Sequence, residues 1–224
     1  MTENIVRLPL IGDKAPEFTA LTTKGTVNFP EDYAGKWVLF FSHPSDFTPV
    51  CTTEFMTMAS MKDEFDAMNV ELLGLSVDSL YSHIAWLRKI EELEWNGIKN
   101  VKIDFPVIAD LNTKVSTKYG MLQPNVSSTQ AVRAVFVIDP EGIIRSIVYY
   151  PLTTGRNFDE IKRMIIALQK ADRVHCSTPA NWQPGDDLII PTPVTVMEAE
   201  AGMASTNEDE YALDWFLRFR KDKE

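Results

Sequence analysis

The sequence predicts an α/β fold: a mixed central sheet with helices on both faces, followed by a C-terminal extension. Three observations carry this. Short apolar runs rich in aromatic and β-branched residues alternate with longer segments whose apolar side chains recur every three or four positions. Two late strand-like runs are joined by Asp139-Pro140-Glu141-Gly142, a Pro/Gly turn. After Ala171 the chain becomes looser, punctuated by Pro179, Pro184, Pro191 and Pro193. The expected division is therefore a main domain over 1–171 and an extension over 172–224.

Taken in order, residues 37–41 follow the turn-like Ala34-Gly35 and read as a buried strand. A Pro-bounded loop, 44–49, comes next, and Pro49 suits the first turn of a helix. Phe55, Met58, Met61, Phe65 and Met68 then give helical spacing over about 50–68. Residues 70–77 read as a second buried strand ended by Asp78. The 81–95 segment is helical, with Ile84, Leu87 and Ile90 in register. Residues 105–108 form a short strand or bend, and 112–119 a short helix stopped by Gly120 as its C-cap. The runs 134–138 and 143–150 are the hairpin. Asn157, with Glu160 three residues on, resembles an N-cap and its reciprocal partner, opening a helix over 158–170 with Ile161, Ile165 and Leu168 on one face. The order is β-α-β-α-(β)-α-β-β-α. Its two early crossovers imply parallel strands, and the hairpin adds antiparallel ones. Residues 198–210 are acidic and small, as in a surface helix or loop. Residues 211–219 carry Trp215, Phe216, Leu217 and Phe219, an apolar stretch that should bury against something such as a second subunit.

Composition narrows the function. The 224 residues carry a net charge of −10, which argues against nonspecific nucleic-acid binding. The apolar runs are far too short to span a bilayer, and residues 1–9, with Glu3 and Arg7, lack an export-type apolar stretch. A cytoplasmic location is the default expectation. Two Cys and three His show no CxxC and no zinc-type spacing. No metal, flavin, haem or nucleotide motif stands out, so no cofactor is expected.

The sharp feature is Pro44-Ser45-Asp46-Phe47-Thr48-Pro49-Val50-Cys51, set between a buried strand and a helix. A sulfur in the first turn of a helix meets unpaired backbone N–H groups and the positive end of the dipole, which favour its reactive, negatively charged form. Thr48 stands three residues back, where its hydroxyl can share the pocket. Pro44 and Pro49 stiffen the loop and shield the sulfur. The competing reading makes Cys51 a small buried hydrophobe.

Pro44, Thr48 and Cys51 stand in the pattern Pro-x-x-x-Thr-x-x-Cys, which resembles the peroxiredoxin active-site signature. The longer stretch 42–54, and the stretches 133–139, 150–160 and 178–182, resemble the one-cysteine branch of that family, and the likeness runs from about Gly12 to the C-terminus. The resemblance implies a thioredoxin-like fold and a thiol peroxidase. It implies that the Cys51 thiolate attacks a hydroperoxide, hydrogen peroxide or an alkyl hydroperoxide, and becomes a sulfenic acid that an outside thiol restores. Thr48 would hydrogen-bond the peroxide, Arg133 would hold positive charge beside sulfur and oxygen, and Pro44 would limit solvent access. Glu54 and Arg156 would orient Arg133, the competing reading of each being a solvated surface charge, and His43 would serve the peroxide pocket or else be a structural His at a strand end. His83 and His175 are read as structural.

Cys176 stands in 174–178, where relatives usually lack a cysteine. It is either a resolving cysteine for Cys51 or an incidental loop thiol, and both readings stay open. The reductant is a thioredoxin-like protein or a small thiol. The resemblance also implies a homodimer through the C-terminal extension, with a ring of five dimers as a further step. Some animal relatives are credited with phospholipase activity. Here Gly35-Lys36-Trp37-Val38 and Pro30 replace the hydroxyl nucleophile and its base, so no lipase activity is expected. Two other functions compete with the peroxidase: a holdase-type chaperone assembly and a thiol–disulfide exchange protein. The lack of CxxC counts against the second.

Overall fold

The computed structural model describes residues 7–127 and 129–223. The reading of the N-terminus lies, for residues 1–6, outside the described residues. The chain divides into two compact units, Met1–Phe158 and Asp159–Glu224. This division and the expected one after residue 171 differ by the helix that begins at Phe158.

The first unit is built on a seven-stranded mixed sheet. Its strands are β1 (Phe18–Thr22), β2 (Gly25–Phe29), β3 (Trp37–Ser42), β4 (Val70–Ser76), β5 (Val107–Ala109), β6 (Arg133–Ile138) and β7 (Ile144–Tyr150). Their order is β2-β1-β5-β4-β3-β6-β7. The central β3, β4 and β5 run parallel, while β6, β7, β1 and β2 add antiparallel pairs. Every residue of β3 and of β6 is buried, as expected of strands covered on both faces.

Alternation along β3 assigns the faces. Phe41 packs edge-on against Phe55 and Phe105, both with centroids 5.8 Å away, and Trp86 lies 4.6 Å from Phe55. This face is covered by α1 (Pro49–Ser60), α2 (Lys62–Ala67) and α3 (Leu80–Ile90). Its neighbour Phe40 points the other way, onto Tyr119, Phe29 and Phe136. That second core is closed by β1, β2 and α4 (Lys114–Lys118). Each buried Phe contributes up to about 3 kcal/mol of transfer free energy, so these two clusters dominate the unit's stability.

The structure departs from the sequence reading in four places. The β1–β2 hairpin was not expected; Phe18, Ala20, Val27 and Phe29 alternate there, but polar residues separate them. The helix expected over 50–68 is broken at Met61, whose N–H still bonds to Thr57 and Met58 carbonyls. Thr52 and Thr57 donate their hydroxyls to the carbonyls four residues earlier, at 2.8 Å each, and such back-bonding bends helices. The helix expected over 81–95 starts at Leu80, capped by the Ser79 hydroxyl, and stops at Ile90. Beyond it, Asn96 and Gly97 both adopt positive φ in a tight turn that pairs Trp95 with Ile98. Ile84 is exposed, and His83 takes a place on the buried face. Gly120 does end α4, at φ +65°.

The second unit holds most of α5 (Phe158–Val174), then β8 (Leu188–Ile189), α6 (Val196–Met203), β9 (Glu210–Asp214) and β10 (Leu217–Arg220). Its small sheet has the order β8-β10-β9 and is antiparallel. Ala167, Cys176, Trp182 and Leu188 form its core, and the Trp182 indole donates to the Asp186 carbonyl at 2.9 Å. The apolar stretch 211–219 is a hairpin in which Tyr211 stacks on Phe219, leaving Trp215 and Phe216 about half exposed at its turn. Among the described residues no helix is long and apolar enough to cross a membrane.

Candidate active site

The loop after β3 delivers its side chains to the start of α1. Thr48 is the N-cap residue, but its hydroxyl donates to the Ser45 carbonyl at 2.8 Å and does not cap the helix. Omitting such a cap costs about 1 kcal/mol, small beside the burial of Phe55 and Met58 on the same helix. Its consequence is chemical. The first intrahelical bond runs from the Thr52 N–H to the Thr48 carbonyl, so the amides of Val50 and Cys51 lie in the turn whose donors a helix leaves unpaired. Cys51 sits there with 0% exposure and a free thiol.

Arg133, the first residue of β6, donates Nη1 to the Cys51 sulfur at 3.3 Å and to Glu54 Oε2 at 2.8 Å. Its Nε and Nη2 both donate to the Leu152 carbonyl, at 3.1 and 2.8 Å. Among the described residues these four contacts occupy four of its five N–H groups. A fixed guanidinium thus lies against the sulfur, its direction set from both sides.

Arg156 holds Glu54. Its backbone N–H and Nε reach Oε1 at 2.9 and 3.0 Å, and its Nη2 reaches Oε2 at 2.7 Å. Its Nη1 donates to the Ser42 and Ala134 carbonyls, and its guanidinium lies over Phe41 and Phe158. Glu54 therefore accepts four hydrogen bonds from two arginines. Burial pushes the Glu54 carboxyl up, but the charge and hydrogen bonds of Arg156, with Arg133 behind them, outweigh burial and hold it below its ordinary value. A carboxyl lowered by folding stabilises the fold fully above its unfolded value and loses that contribution as pH falls toward its folded value. Urea unfolding is therefore expected to show stability falling with acidification below about pH 4.5. The fall should be shallower in Glu54→Gln; an identical pH profile in that variant would refute the linkage.

Of the residues read from sequence, Cys51, Thr48, Pro44, Glu54, Arg133 and Arg156 all belong to this first unit, with Pro44 buried beside the loop. Cys51, Glu54, Arg133 and Arg156 form one bonded chain. His43 is elsewhere. Its Nε2 lies 2.9 Å from Asp46 Oδ1, its ring packs on Phe55 and Trp86, and its Nδ1 has no hydrogen-bond partner among the described residues. Burial lowers the His43 imidazole below its ordinary value, against the opposing pull of Asp46. Cys176 is a free thiol in the second unit, buried among Ala167, Trp182 and Leu188.

Sequence reasoning passed over three groups. The Leu152 carbonyl has no side-chain signature. Asp46 and His83 were visible as residues, but not as a pair 37 positions apart. With His43 they are the one set of ligand-type side chains found clustered among the described residues. Their nitrogen–oxygen separations of 2.8–2.9 Å are proton-sharing contacts, and these atoms could surround an ion only by giving those contacts up.

The comparisons agree with this geometry. The AhpC/TSA family model matches residues 11–147, and the model for the C-terminal domain of 1-Cys peroxiredoxin matches 167–206. A peroxiredoxin of Methanosarcina mazei is 60% identical over 96% of this chain and 99% of its own, and one of Aquifex aeolicus is 47% identical over 97% and 99%. Among solved structures, yeast mitochondrial 1-Cys peroxiredoxin is similar with a TM-score of 0.82 at 42% identity, covering 96% of this chain and all of that one. Peroxiredoxin 6 of Arenicola marina gives 0.84 at 32% identity, over 96% and 99%. The thioredoxin-like architecture is shared with both. A buried thiol under an arginine, at a helix start, on this sheet and with these relatives, leads to one assignment: the chain belongs to the peroxiredoxin family and is a thiol-dependent peroxidase.

Proposed function

We propose that Cys51 is the peroxidatic residue and works through a one-cysteine cycle. The Cys51 thiolate attacks one oxygen of a hydroperoxide; the O–O bond breaks, and the departing oxygen takes a proton and leaves as water or alcohol. Cys51 becomes a sulfenic acid, oxidised by the two electrons that reduce the peroxide. Two equivalents of an outside thiol then return it to the thiol, yielding their disulfide and water.

The observation that carries this reading is the Arg133–Cys51 contact at 3.3 Å, held by Glu54 and Leu152. Negative charge passes from sulfur to the departing oxygen, and a guanidinium fixed beforehand beside that path stabilises it without reorganising. Thr48 accepts the proton-bearing side of the peroxide through its hydroxyl oxygen, and Pro44 keeps water away. Glu54 and Arg156 position Arg133. His43 bears on the loop through Asp46.

The burial of Cys176 within its own unit supports an outside thiol as the resolving agent. The yeast mitochondrial relative is described as resolving its thiol through glutathione and thioredoxin systems, and the same class of reductant is assigned to this chain, in the cytoplasm. The exposed Trp215, Phe216 and Leu213 favour a homodimer, with the five-dimer ring as a higher state. The comparisons give no support to the holdase reading.

Mass spectrometry of the reduced protein before and after one equivalent of hydrogen peroxide tests this. A native mass of two chains or more is expected beforehand, and one added oxygen localised to Cys51 afterwards. A Cys51–Cys176 disulfide would replace the outside thiol with internal resolution, an unchanged Cys51 would sink the peroxidatic assignment, and a native monomer would sink the dimer.

A further inference from the structure

Asp46 is where the active-site loop is fastened. Its carboxylate lies 2.9 Å from His43 Nε2 and within 2.8–3.0 Å of His83 Nδ1, and its backbone N–H donates to Asp78 Oδ2 at 2.9 Å. The Ser76 hydroxyl donates to the same Asp78 oxygen at 2.8 Å. His83 is anchored in turn: it is wholly buried on α3, and its Nε2 lies 3.1 Å from the Ile108 carbonyl of β5. Both of its ring nitrogens thus face oxygen atoms, one on the loop and one on the sheet. Burial alone would push that carboxyl up, but His43 and His83 together hold it well below the usual carboxylate range.

The backbone just past Asp46 needs fastening. Phe47 is 60% exposed and adopts the left-handed region at φ +55°, a conformation that non-glycine residues hold only when their surroundings fix it. Thr48 comes next, with its hydroxyl on the Ser45 carbonyl, and Cys51 lies one helical turn beyond. Helix α3 therefore grips the loop immediately upstream of the reacting groups, through one residue that lies outside the 42–54 signature.

We propose that His83 is a positioning residue for peroxide reduction, acting through Asp46 to clamp the 44–48 loop so that Thr48 and Cys51 meet the peroxide in register. This rests on the assignment of Cys51 as peroxidatic.

The test uses the full chain carrying His83→Leu, His83→Asn, Asp46→Asn and the His83→Leu/Asp46→Asn pair. Steady-state kinetics give kcat/KM separately for hydrogen peroxide and for dithiothreitol, and alkylation by iodoacetamide reads access to Cys51. Misplacing reacting groups by an ångström costs about a hundredfold, so H83L is expected to lose that much in kcat/KM for peroxide. Its kcat/KM for the thiol should stay unchanged and its Cys51 should alkylate faster. H83N keeps a donor at the Nδ1 position and should recover most of the loss. The double variant should match D46N to within about twofold, since residues acting in series do not add. Equal losses in both half-reactions, multiplying effects in the double variant, or wild-type kinetics in folded H83L would overturn the proposal. Should H83L not fold, D46N decides alone: wild-type peroxide kinetics there would overturn it. Failure of the Cys51 assignment looks different, because Cys51 of the wild-type protein would then carry no added oxygen after peroxide, while alkylation would still report the clamp.

Discussion

Cys51→Ser is expected to reduce hydrogen peroxide consumption to the uncatalysed background while leaving the fold intact. A hydroxyl is a far weaker nucleophile than a thiolate and cannot cycle through a sulfenic acid. The substitution removes little volume at a fully buried site, and the Arg133–Glu54–Arg156 chain persists without the sulfur, because its other bonds do not use it. Peroxide decay in the presence of dithiothreitol checks activity, and circular dichroism checks the fold. A folded variant that retained even a tenth of the activity, roughly 1.4 kcal/mol of barrier, would require Cys176 or another group to do the chemistry.

Arg133→Gln should be the next most severe change. It removes the only guanidinium bonded to the sulfur among the described residues and strips one of the four bonds from Glu54, which Arg156 continues to hold. Removing one preorganised donor from a charge-stabilising site typically costs about 10²–10³ in rate. The loss should fall on the second-order reaction of Cys51 with peroxide, read by stopped-flow, and leave kcat/KM for dithiothreitol unchanged. Arg133→Lys should recover only part of it, since an ammonium cannot hold both the Leu152 carbonyl and Glu54 in the fork geometry of Arg. Full recovery by Lys would show that charge alone matters and that the fork does not.

Much of this was legible in the residues, for local reasons. The strand, loop and helix around Cys51 were marked by aromatic β-branched runs, by two prolines and by a 3.6-residue pattern, each a property of a few consecutive positions. The hairpin at 134–150 was marked by its turn. The β1–β2 hairpin was not, because Thr19, Thr22 and Asn28 dilute the apolar alternation that only tertiary packing onto Phe40 makes meaningful. The break at Met61 escaped because the apolar period runs on through it while threonine hydroxyls bend the backbone. In the site, Glu54 and Arg156 were named through a resemblance, yet their 102-residue separation hid the three bonds between them. His83 was set aside for the same reason. Its partner on the loop and its carbonyl on β5 come together only once the sheet is assembled.

The Thr48 hydroxyl has already given its hydrogen to the Ser45 carbonyl. An oxygen in that position can receive and cannot donate. If Thr48 meets the peroxide as proposed, the pocket asks its guest to bring a hydrogen of its own, and a molecule whose two oxygens both carry carbon has none to offer. Selection between an organic hydroperoxide and a dialkyl peroxide would then turn on a single missing atom, whatever the size of the organic group, and no side chain has to be placed to exclude the second.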